Sequence, residues 1–277
     1  MLRRMKEITI LVTGSTDGIG RETARQLLDM GHRVLVHGRS REKAERTALE
    51  LGKASSKGEA LIVWGDLSRM REVLDLAQQV RALCPALDVL INNAGVLENR
   101  QRQTEDGFEL TMAVNHFAPF LLTRTLLDLV QAAPAGRIVT VSSMVHSSGS
   151  LDLGAPSFLR LRGGYSGYEA YSASKLANVL FTLELARRLA GTKVSANCLH
   201  PGVIGTKLLR AGFAMGGASV EEGARTSVFL AASDEVAGVS GKYFNSCREA
   251  QCSSTSRDPI LAQALWQASE AALQAFV

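Results

Sequence analysis

A tyrosine and a lysine stand four positions apart, Tyr171 and Lys175, in a segment whose apolar residues recur with helical spacing. Residues four apart lie on one face of a helix, so the phenol and the ammonium are expected to be neighbours. A phenol is a poor acid–base group near neutrality because its reference pKa is about 10. An ammonium about 4 Å away, at an effective dielectric constant of about 20, contributes about 4 kcal/mol towards phenolate, or about three pKa units. The pair is therefore predicted to exchange a proton with an alcohol or a carbonyl oxygen.

A glycine-rich segment stands between an apolar run and a helical pattern near the start of the chain. It reads Thr13-Gly14-Ser15-Thr16-Asp17-Gly18-Ile19-Gly20. Glycines let the main chain approach a pyrophosphate, and the N-terminus of the following helix supplies unpaired N–H groups and a partial positive charge. Such a segment alone is weak evidence and is often a plain turn, but its place between a strand and a helix favours a nucleotide site. Residues 14–20 are therefore predicted to bind a cofactor.

The end of the second apolar run indicates which nicotinamide cofactor binds. A carboxylate there would bind the ribose 2′-OH of NAD, whereas an arginine accommodates the 2′-phosphate of NADP. The chain has no acid at this point, and Arg39 and Ser40 suit a phosphate. Arg39 could instead begin a solvated helix, and Asp17 would oppose the phosphate unless it turns away to cap a helix. NADP(H) is the predicted cofactor, with NAD(H) as the alternative.

Strand-like and helix-like segments alternate along the chain, which predicts a parallel sheet with helices on both faces. The predicted strands are 8–13, 33–37, 60–64, 87–91, 137–142, 193–198 and 241–244. The predicted helices are 18–29, 41–51, 69–83, 105–131, 168–189 and 259–275, the fourth of them bent or broken near Pro119. With no linker and no internal repeat, we expect a single Rossmann-like, doubly wound α/β domain over residues 1–277, with about seven strands.

Two stretches interrupt this alternation, 144–167 and 203–223. Each follows the carboxyl end of a strand, where such sheets bind ligands. Their apolar side chains are Leu151, Leu153, Phe158, Leu159, Leu161 and Tyr165 in the first stretch, and Leu208, Leu209, Phe213 and Met215 in the second. The stretches are predicted to be flexible lids over a hydrophobic carbonyl or alcohol substrate.

Composition bounds the other classes of partner. Of the 277 residues 46% are hydrophobic and 21% are charged, so disorder is not indicated. The net charge of +4 suggests nucleic acid, but basic residues are dispersed among acidic ones, which favours a solvated surface. No apolar run is long enough to span a bilayer, and no signal sequence is evident. Four cysteines without a Cys-x-x-Cys pair favour reduced thiols in the cytoplasm and no metal site.

Further short motifs follow the glycine-rich segment in a fixed order. They are Asp66-Leu67, Asn92-Asn93-Ala94-Gly95, Asn115, Ser142-Ser143, Tyr171-x-x-x-Lys175 and Pro201-Gly202-x-x-x-Thr206. Singly several of these are common, but in this order the chain resembles the short-chain dehydrogenase/reductase family, whose glycine pattern is also Thr-Gly-x-x-x-Gly-x-Gly.

The resemblance implies roles for individual residues. Asn115, Ser143, Tyr171 and Lys175 would form a catalytic tetrad, in which Ser143 binds the substrate oxygen and Asn115 holds a water that passes protons to Lys175. Ser143 is chosen over Ser142 because the family's catalytic serine is the second of such a pair. The other implied cofactor contacts are Asp66 and Leu67 at the adenine, Asn93, Ala94 and Gly95 along the cofactor, and Pro201, Gly202, Val203 and Thr206 at the nicotinamide, joined there by Tyr171 and Lys175.

The segments Asn115-His116-Phe117 and Tyr171–Asn178 look most like the retinol-dehydrogenase-type branch of the family. This resemblance implies an NADP(H)-dependent oxidoreductase that acts on a lipophilic alcohol, aldehyde or ketone. The alternative is a nucleotide-sensing regulator of the same fold, which would be expected to lose the Tyr/Lys pair. The family also suggests dimers or tetramers formed through helices 105–131 and 168–189, although their apolar faces are equally compatible with burial inside one chain.

Overall fold

The computed structural model of the protein describes residues 7–159, 163–213 and 216–276. The strands in these ranges are β1 (Thr9–Val12), β2 (Arg33–Gly38), β3 (Glu59–Trp64), β4 (Val89–Asn92), β5 (Arg137–Val141), β6 (Ser195–His200), β7 (Tyr243–Asn245) and β8 (Arg248–Ala250). They form one sheet in the order β3-β2-β1-β4-β5-β6-β7-β8. β1 to β7 are parallel, and β8 pairs antiparallel with β7. The predicted Rossmann-like sheet is confirmed, with an antiparallel edge strand added.

Helices cover both faces of this sheet. They are α1 (Gly18–Asp29), α2 (Arg41–Ala54), α3 (Met70–Leu83), α4 (Leu110–Met112), α5 (Ala118–Ala132), α6 (Gly167–Arg188), α7 (Lys207–Phe213), α8 (Val220–Ala232) and α9 (Pro259–Ala272). A π-helical turn, Ala113–Phe117, joins α4 to α5, and 3-10 helices lie at Met144–Ser148, Pro156–Phe158, Asp234–Val236, Thr255–Arg257 and Gln274–Phe276.

The core has two halves, one on each side of the sheet. Ile10 and Val12 of β1 pack with α1, α2 and α8, whereas Leu11 packs with α3, α5 and α6. All three side chains are fully buried, as a parallel strand covered on both faces requires. Side chains on both faces therefore hold the strands in place, and their carboxyl ends line up at one edge.

The predicted helix over 105–131 is wrong at its start. The Glu109 carboxylate accepts hydrogen bonds from the N–H groups of Thr111 (2.9 Å) and Met112 (2.8 Å), so it caps a helix that begins at Leu110. The break expected near Pro119 lies just before it, in the π-helical turn. The sequence pattern also missed two helices, α7 inside the stretch 203–223 and α8, which begins within that stretch.

Helix α6 is buried along most of its length within a single chain, including every residue from Ala170 to Thr182. Helix α9 packs against it through the buried side chains of Leu265 and Trp266. The Arg188 guanidinium lies over the Trp266 ring, 4.2 Å from its centre. The apolar faces of α6 are thus buried within one chain, and pairing of two chains stays a prediction.

Neither a helix long and apolar enough to cross a membrane nor a cluster of metal-binding side chains is present in the part of the chain that the structure describes. All four cysteines are free. Cys84 and Cys198 are buried, and Cys247 and Cys252 are partly exposed.

Candidate active site

A cavity of about 1450 Å³ opens at the carboxyl-terminal edge of the sheet. The predicted site residues that line it are Gly14, Thr16, Asp17, Gly18, Ile19, Gly20, Arg39, Asp66, Leu67, Asn93, Ala94, Gly95, Ser143, Tyr171, Lys175, Pro201, Gly202, Val203 and Thr206. Three predicted residues, Ser15, Ser40 and Asn115, are not among the described residues that line it. The fold therefore brings nearly all of the predicted cofactor and catalytic residues to one site.

In the glycine turn, no side chains at Gly14, Gly18 and Gly20 cover the main chain where α1 begins. Gly14 and Gly18 have φ angles of +66° and +54°, which residues with a side chain rarely adopt. A Cβ on Gly20 would overlap the Asn93 amide nitrogen and the Gly14 carbonyl oxygen. Ser15 joins the turn to the end of β1, since its hydroxyl donates to the Val12 carbonyl oxygen at 2.8 Å. A bare turn beside a helix N-terminus fits a pyrophosphate.

Thr13 and Asn93 join the glycine turn to the segment after β4. The Thr13 hydroxyl oxygen accepts hydrogen bonds from the main-chain N–H groups of Asn93 (2.9 Å) and Ala94 (3.1 Å). In return the Asn93 side-chain amide donates to the Thr13 carbonyl oxygen at 2.8 Å. These bonds fix two walls of the cavity relative to each other.

His37, at the end of β2, has a role that the sequence pattern did not predict. Its Nδ1 accepts a hydrogen bond from the Gly14 N–H at 2.9 Å, and its Nε2 donates to the Gly65 carbonyl oxygen at 3.1 Å. A donor on one side and an acceptor on the other require the neutral Nε2–H tautomer. Burial lowers the pKa of His37 to about 4, which keeps the ring neutral. His37 thus ties the glycine turn to the end of β3, next to Asp66.

The residues predicted to distinguish NADP from NAD lie at the edge of the cavity. The Arg39 Nε is 3.7 Å from an Asp66 carboxylate oxygen, and its side chain is 68% exposed. Ser40 caps α2 instead of lining the cavity, and its hydroxyl oxygen accepts from the Lys43 N–H at 3.5 Å. Lys43, which the sequence pattern did not single out, does line the cavity. A guanidinium and an ammonium fit a 2′-phosphate.

The Asp17 carboxylate is engaged at both oxygens. Oδ1 accepts a hydrogen bond from the Gly18 N–H at 2.9 Å and so caps α1. Oδ2 pairs with the Lys207 ammonium at 2.5 Å, which lowers the pKa of the carboxyl. Its negative charge is therefore balanced by Lys207. Asp17 also caps α1, which is the condition under which the sequence predicts that it does not oppose a phosphate.

Tyr171, Ser143 and Lys175 meet in the same cavity. The Tyr171 phenol is hydrogen-bonded to the Ser143 side chain. The Lys175 Nζ lies 5.4 Å from the centre of the Tyr171 ring and donates to the Val141 carbonyl oxygen at 3.0 Å. Tyr171 is 7% exposed and Lys175 3% exposed. The pair expected from the four-residue spacing thus reaches the cavity from buried positions.

The two adjacent serines have different surroundings. The Ser142 hydroxyl is buried and donates to the Lys175 carbonyl oxygen at 2.8 Å, so it joins β5 to α6. The Ser143 hydroxyl oxygen accepts from the Val145 N–H at 3.4 Å and contacts the Tyr171 phenol. This geometry supports the choice of Ser143 as the serine that would bind a substrate oxygen.

The predicted lowering of the Tyr171 pKa is wrong for this structure. Burial raises the pKa of Tyr171 to about 12, and the hydrogen bond with Ser143 offsets only part of the rise. Burial also lowers the pKa of Lys175 to about 8. Both groups lose water on entering the core, and that loss penalises their charged forms more than their neighbours stabilise them. At neutral pH the phenol is protonated and the lysine is mostly an ammonium.

Asn115 lies in the π-helical turn and is fully buried. Its Oδ1 accepts from the Val96 N–H at 2.8 Å, and its Nδ2 donates to the Val96 carbonyl oxygen and the Ser174 hydroxyl, both at 2.9 Å. The side chain is thus engaged with the segment after β4. A water held by Asn115 would therefore have to bind the main-chain carbonyl oxygen of Asn115. In a π-helical turn the hydrogen bonds of these carbonyl groups differ from those in an α-helix.

The comparison with protein families identifies this arrangement. The family described as short chain dehydrogenase matches residues 8–155 and 161–215. The chain belongs to that family. The resemblance inferred from the order of the motifs is therefore confirmed.

Relatives of this short-chain dehydrogenase match it over most of its length. Retinol dehydrogenase 14 of Homo sapiens is 40% identical, with 95% of this chain and 85% of the relative covered. Retinol dehydrogenase 12 of Homo sapiens is 37% identical, with 94% and 84% covered. The chain is thus similar to retinol dehydrogenases.

Solved structures are similar in fold. A crystal structure of an uncharacterized protein from Mycobacterium Paratuberculosis has a TM-score of 0.80 at 33% identity, covering 96% of this chain and 93% of the other. A short chain dehydrogenase from Escherichia coli CFT073, complexed with NADPH, has a TM-score of 0.71 at 26% identity, covering 89% and 100%.

One part of the dehydrogenase cavity is apolar. Met144 is 55% exposed, Tyr168 42% and Val203 37%, and all three line the cavity. Apolar side chains exposed together in one cavity form a surface that an apolar ligand can cover.

The two stretches predicted as lids differ in how they pack. In the first stretch Phe158 and Leu159 are buried in the core, with the Phe158 ring 5.1 Å from that of Phe117. The Tyr165 hydroxyl donates to the Glu109 carboxylate at 2.9 Å, which holds this part of the stretch against the domain. From the second stretch, Leu208 and Leu209 line the cavity. Leu161 of the first stretch and Met215 of the second lie outside the described residues. The lid role of both stretches stays a prediction.

Proposed function

We propose that this short-chain dehydrogenase is an NADP(H)-dependent oxidoreductase that transfers hydride between nicotinamide and a hydrophobic alcohol, aldehyde or ketone. The observation that carries the proposal is the Tyr171–Ser143 hydrogen bond beside the buried Lys175, in the same cavity as the glycine turn. A bound nicotinamide cofactor would supply or accept the hydride. The protein's own residues would handle the matching proton.

The residues that would hold the cofactor form a continuous wall of the cavity. The glycine turn, residues 14–20, would bind the pyrophosphate, and Asp66 and Leu67 would border the adenine. Arg39 and Lys43 would bind the 2′-phosphate, and no acid stands at the end of β2 to favour NAD(H). The similar dehydrogenase solved with NADPH supports the same choice.

In carbonyl reduction the Tyr171 hydroxyl donates its proton to the substrate oxygen. Its raised pKa keeps that proton in place at neutral pH until negative charge develops on the oxygen. Ser143 would hold the same oxygen by a hydrogen bond. The Lys175 ammonium would stabilise the phenolate that remains. In alcohol oxidation the proton would return to the Tyr171 oxygen from the alcohol.

The proposed substrate is lipophilic because the exposed side chains of Met144, Tyr168 and Val203 line a cavity that an apolar molecule could fill. The relatives at 37% and 40% identity are named retinol dehydrogenases. Retinal and retinol are therefore the first compounds to test.

The experiment is turnover of NADPH and NADH with a panel of hydrophobic aldehydes and ketones, retinal included, beside Tyr171→Phe. We expect turnover by the wild type with NADPH, and a loss of about 10²-fold or more in kcat for Tyr171→Phe with unchanged NADPH binding. If both proteins bind NADPH equally and neither reduces any carbonyl, the proposal fails and a nucleotide-sensing regulator replaces it.

We also propose a cytoplasmic location, supported by the four free cysteines, which persist in a reducing compartment. Cell fractionation tests it, and recovery in a membrane or secreted fraction would count against it. Whether two or more copies assemble can be measured by light scattering on the purified protein.

A further inference from the structure

A histidine links Ser143 to a distant part of the chain. The His146 Nδ1 lies 2.7 Å from the Ser143 carbonyl oxygen, and its Nε2 lies 3.1 Å from the main-chain nitrogen of Ser253, 107 positions away. His146 is 4% exposed, and the described residues that line the cavity do not include it. His146 therefore reaches the cavity only through neighbours that line it, and Ser143 is the one to which its ring is hydrogen-bonded.

The partners of His146 determine its protonation. The Ser143 carbonyl oxygen can only accept, so Nδ1 carries the hydrogen, and the Ser253 N–H can only donate, so Nε2 is bare. The ring is thus the neutral Nδ1–H tautomer. Burial lowers the pKa of His146, which favours this neutral form. The main-chain N–H of His146 also donates to the Ser143 carbonyl oxygen, at 3.1 Å.

Ser253 is itself held firmly. Its hydroxyl oxygen accepts from the Ser256 N–H at 3.2 Å, and the Ser256 hydroxyl donates to the Ser253 carbonyl oxygen at 2.8 Å. Ser256 is fully buried, and the His146 ring packs 5.0 Å from the ring of Tyr243 in β7. Segment 253–256 therefore forms a hydrogen-bonded turn on the far side of the histidine, and the 3-10 helix Thr255–Arg257 packs against α6 and α9.

This support lies outside the family match, which ends at residue 215. The position of Ser143 is set by β5 on one side, since Val141 ends that strand two residues earlier. On the other side the chain turns at once into the 3-10 helix Met144–Ser148. The bonds to His146 restrain the serine at this turn.

We propose that His146 is a positioning residue for Ser143, with segment 253–256 as its anchor. The inference rests on the proposed function, in which Ser143 holds the substrate oxygen beside Tyr171. A catalytic group misplaced by about 1 Å can lose about 10²-fold in rate, so a small shift of the serine would be visible in kcat.

Three substitutions of His146 test separately its hydrogen bond to Ser143 and its hydrogen bond to Ser253. His146→Phe keeps a ring against Tyr243 but makes neither bond. His146→Asn places an amide nitrogen near the Nδ1 position, where it can still donate to Ser143. His146→Gln reaches towards the Nε2 position, where its amide oxygen can still accept from Ser253.

We expect kcat to fall about ten-fold or more in His146→Phe and His146→Gln, which lose the bond to Ser143. In His146→Asn, which keeps that bond but loses the anchor at Ser253, we expect a smaller fall of about three-fold. The dissociation constant for NADPH should stay within about two-fold of wild type in all three, because the histidine does not contact the cofactor side. The matched control is His32→Phe. His32 is 2% exposed, and neither of its ring nitrogens has a partner. It precedes β2 at the opposite edge of the sheet, so its change should alter the melting temperature but not kcat.

A double-mutant cycle with Ser143→Ala distinguishes positioning from general support. If His146 acts through the serine hydroxyl, His146→Phe should cost no further kcat once that hydroxyl is gone. Losses that multiply in the double variant, or a kcat of His146→Phe within about two-fold of wild type, would overturn the proposal.

The two proposals fail in distinguishable ways. If the wild type reduces no carbonyl, the proposed function fails and the positioning role falls with it. If the wild type is active and His146→Phe equally so, only the positioning role fails. Amide hydrogen exchange examines the anchor without any substrate. The Ser253 N–H should be protected in the wild type and in His146→Gln, and should exchange faster in His146→Phe and His146→Asn. Equal exchange in all four proteins would refute the anchor.

Discussion

The Lys175 ammonium donates a 3.0 Å hydrogen bond to the carbonyl oxygen of Val141, the last residue of β5. The Ser142 hydroxyl makes the reverse connection, donating to the Lys175 carbonyl oxygen. Strand β5 and helix α6 are thus joined twice, next to the points where Ser143 and Tyr171 enter the cavity. The spacing of the serine and the tyrosine is therefore set in part by two side-chain-to-main-chain hydrogen bonds between β5 and α6.

Lys175→Met is expected to abolish most activity and yet stabilise the ligand-free protein. Burial lowers the pKa of Lys175 from 10.5 to about 8, so folding disfavours the ammonium by about 3 kcal/mol. Removing the charge should recover about 1–3 kcal/mol, less what the lost bond to Val141 contributed. Urea unfolding and NADPH turnover at pH 7 measure both effects, and a less stable variant would contradict the expectation.

The stabilisation by Lys175→Met should depend on pH in one direction. Between pH 8 and pH 10.5 the unfolded chain keeps the lysine proton while the folded chain has released it, so wild-type stability rises with pH there. The difference between variant and wild type is therefore full below pH 8 and shrinks towards pH 10.5. Unfolding curves at pH 7 and pH 10 that show the same difference would argue against a lowered pKa.

Ser143→Ala and Ser142→Ala should affect different properties. Ser143→Ala removes the hydroxyl that contacts Tyr171, so kcat is expected to fall about 10²-fold with little change in melting temperature. Ser142→Ala removes a buried donor to Lys175 and should cost about 1 kcal/mol of stability, with a smaller loss of kcat. Steady-state kinetics at saturating NADPH and thermal unfolding test the pair. A larger kcat loss in Ser142→Ala would reverse the assignment.

Arg39→Leu should raise the KM for NADPH by about ten-fold and leave that for NADH within about two-fold, because the guanidinium would contact only the 2′-phosphate. Lys43→Leu should act in the same direction. The control is Arg41→Leu, since Arg41 pairs with Glu45 at 2.7 Å and is not among the described residues that line the cavity. An equal change for both nucleotides would show that Arg39 does not distinguish them.

Adding an acid at Gly38 is a less direct way to test cofactor choice. A Cβ at this position would lie 2.8 Å from the Thr16 methyl group and 3.1 Å from the Ala44 main-chain nitrogen. Since Thr16 belongs to the glycine turn, such a change would disturb the pyrophosphate site together with the 2′ position.

Gly20→Ala is expected to weaken NADPH binding at least about ten-fold and to lower the melting temperature, because the new Cβ would overlap the Asn93 amide and the Gly14 carbonyl oxygen. Gly52→Ala is the matched control. A Cβ at Gly52, within α2, would meet nothing within 4 Å, and the change should stabilise the protein by about 0.5–1 kcal/mol with no effect on binding. NADPH titration and thermal unfolding of both variants test this. Wild-type affinity for NADPH in Gly20→Ala would contradict the predicted role of the glycine turn.

The parallel part of the sheet could be predicted because its strands are short apolar runs buried on both faces. Strand β8 could not, since Arg248–Ala250 is polar and largely exposed and is a strand only through its pairing with β7. The start of helix α8 could have been predicted from the sequence. Ser219 stands three residues before Glu222, the spacing of a helix cap, and its hydroxyl accepts from the Glu222 N–H.

The order of motifs predicted which residues line the cavity, but not what holds them. His37 and His146 bond to groups far away in sequence, such as Gly65 and Ser253, and such partners are known only once the chain is folded. The Tyr171 pKa was misjudged for a related reason. Spacing indicates that a charge is near, whereas the cost of burial depends on everything packed around the phenol.

Helix α6 leaves the ribosome before the residues that cover it have been made. Tyr171 and Lys175 lie on α6, whose flank is closed in the finished fold by Leu265 and Trp266 of α9. Until those residues emerge, Phe181 and its apolar neighbours on α6 are open to chaperones or to other nascent chains. Nonsense mutations upstream of α9 should for this reason yield protein that aggregates rather than a shortened enzyme.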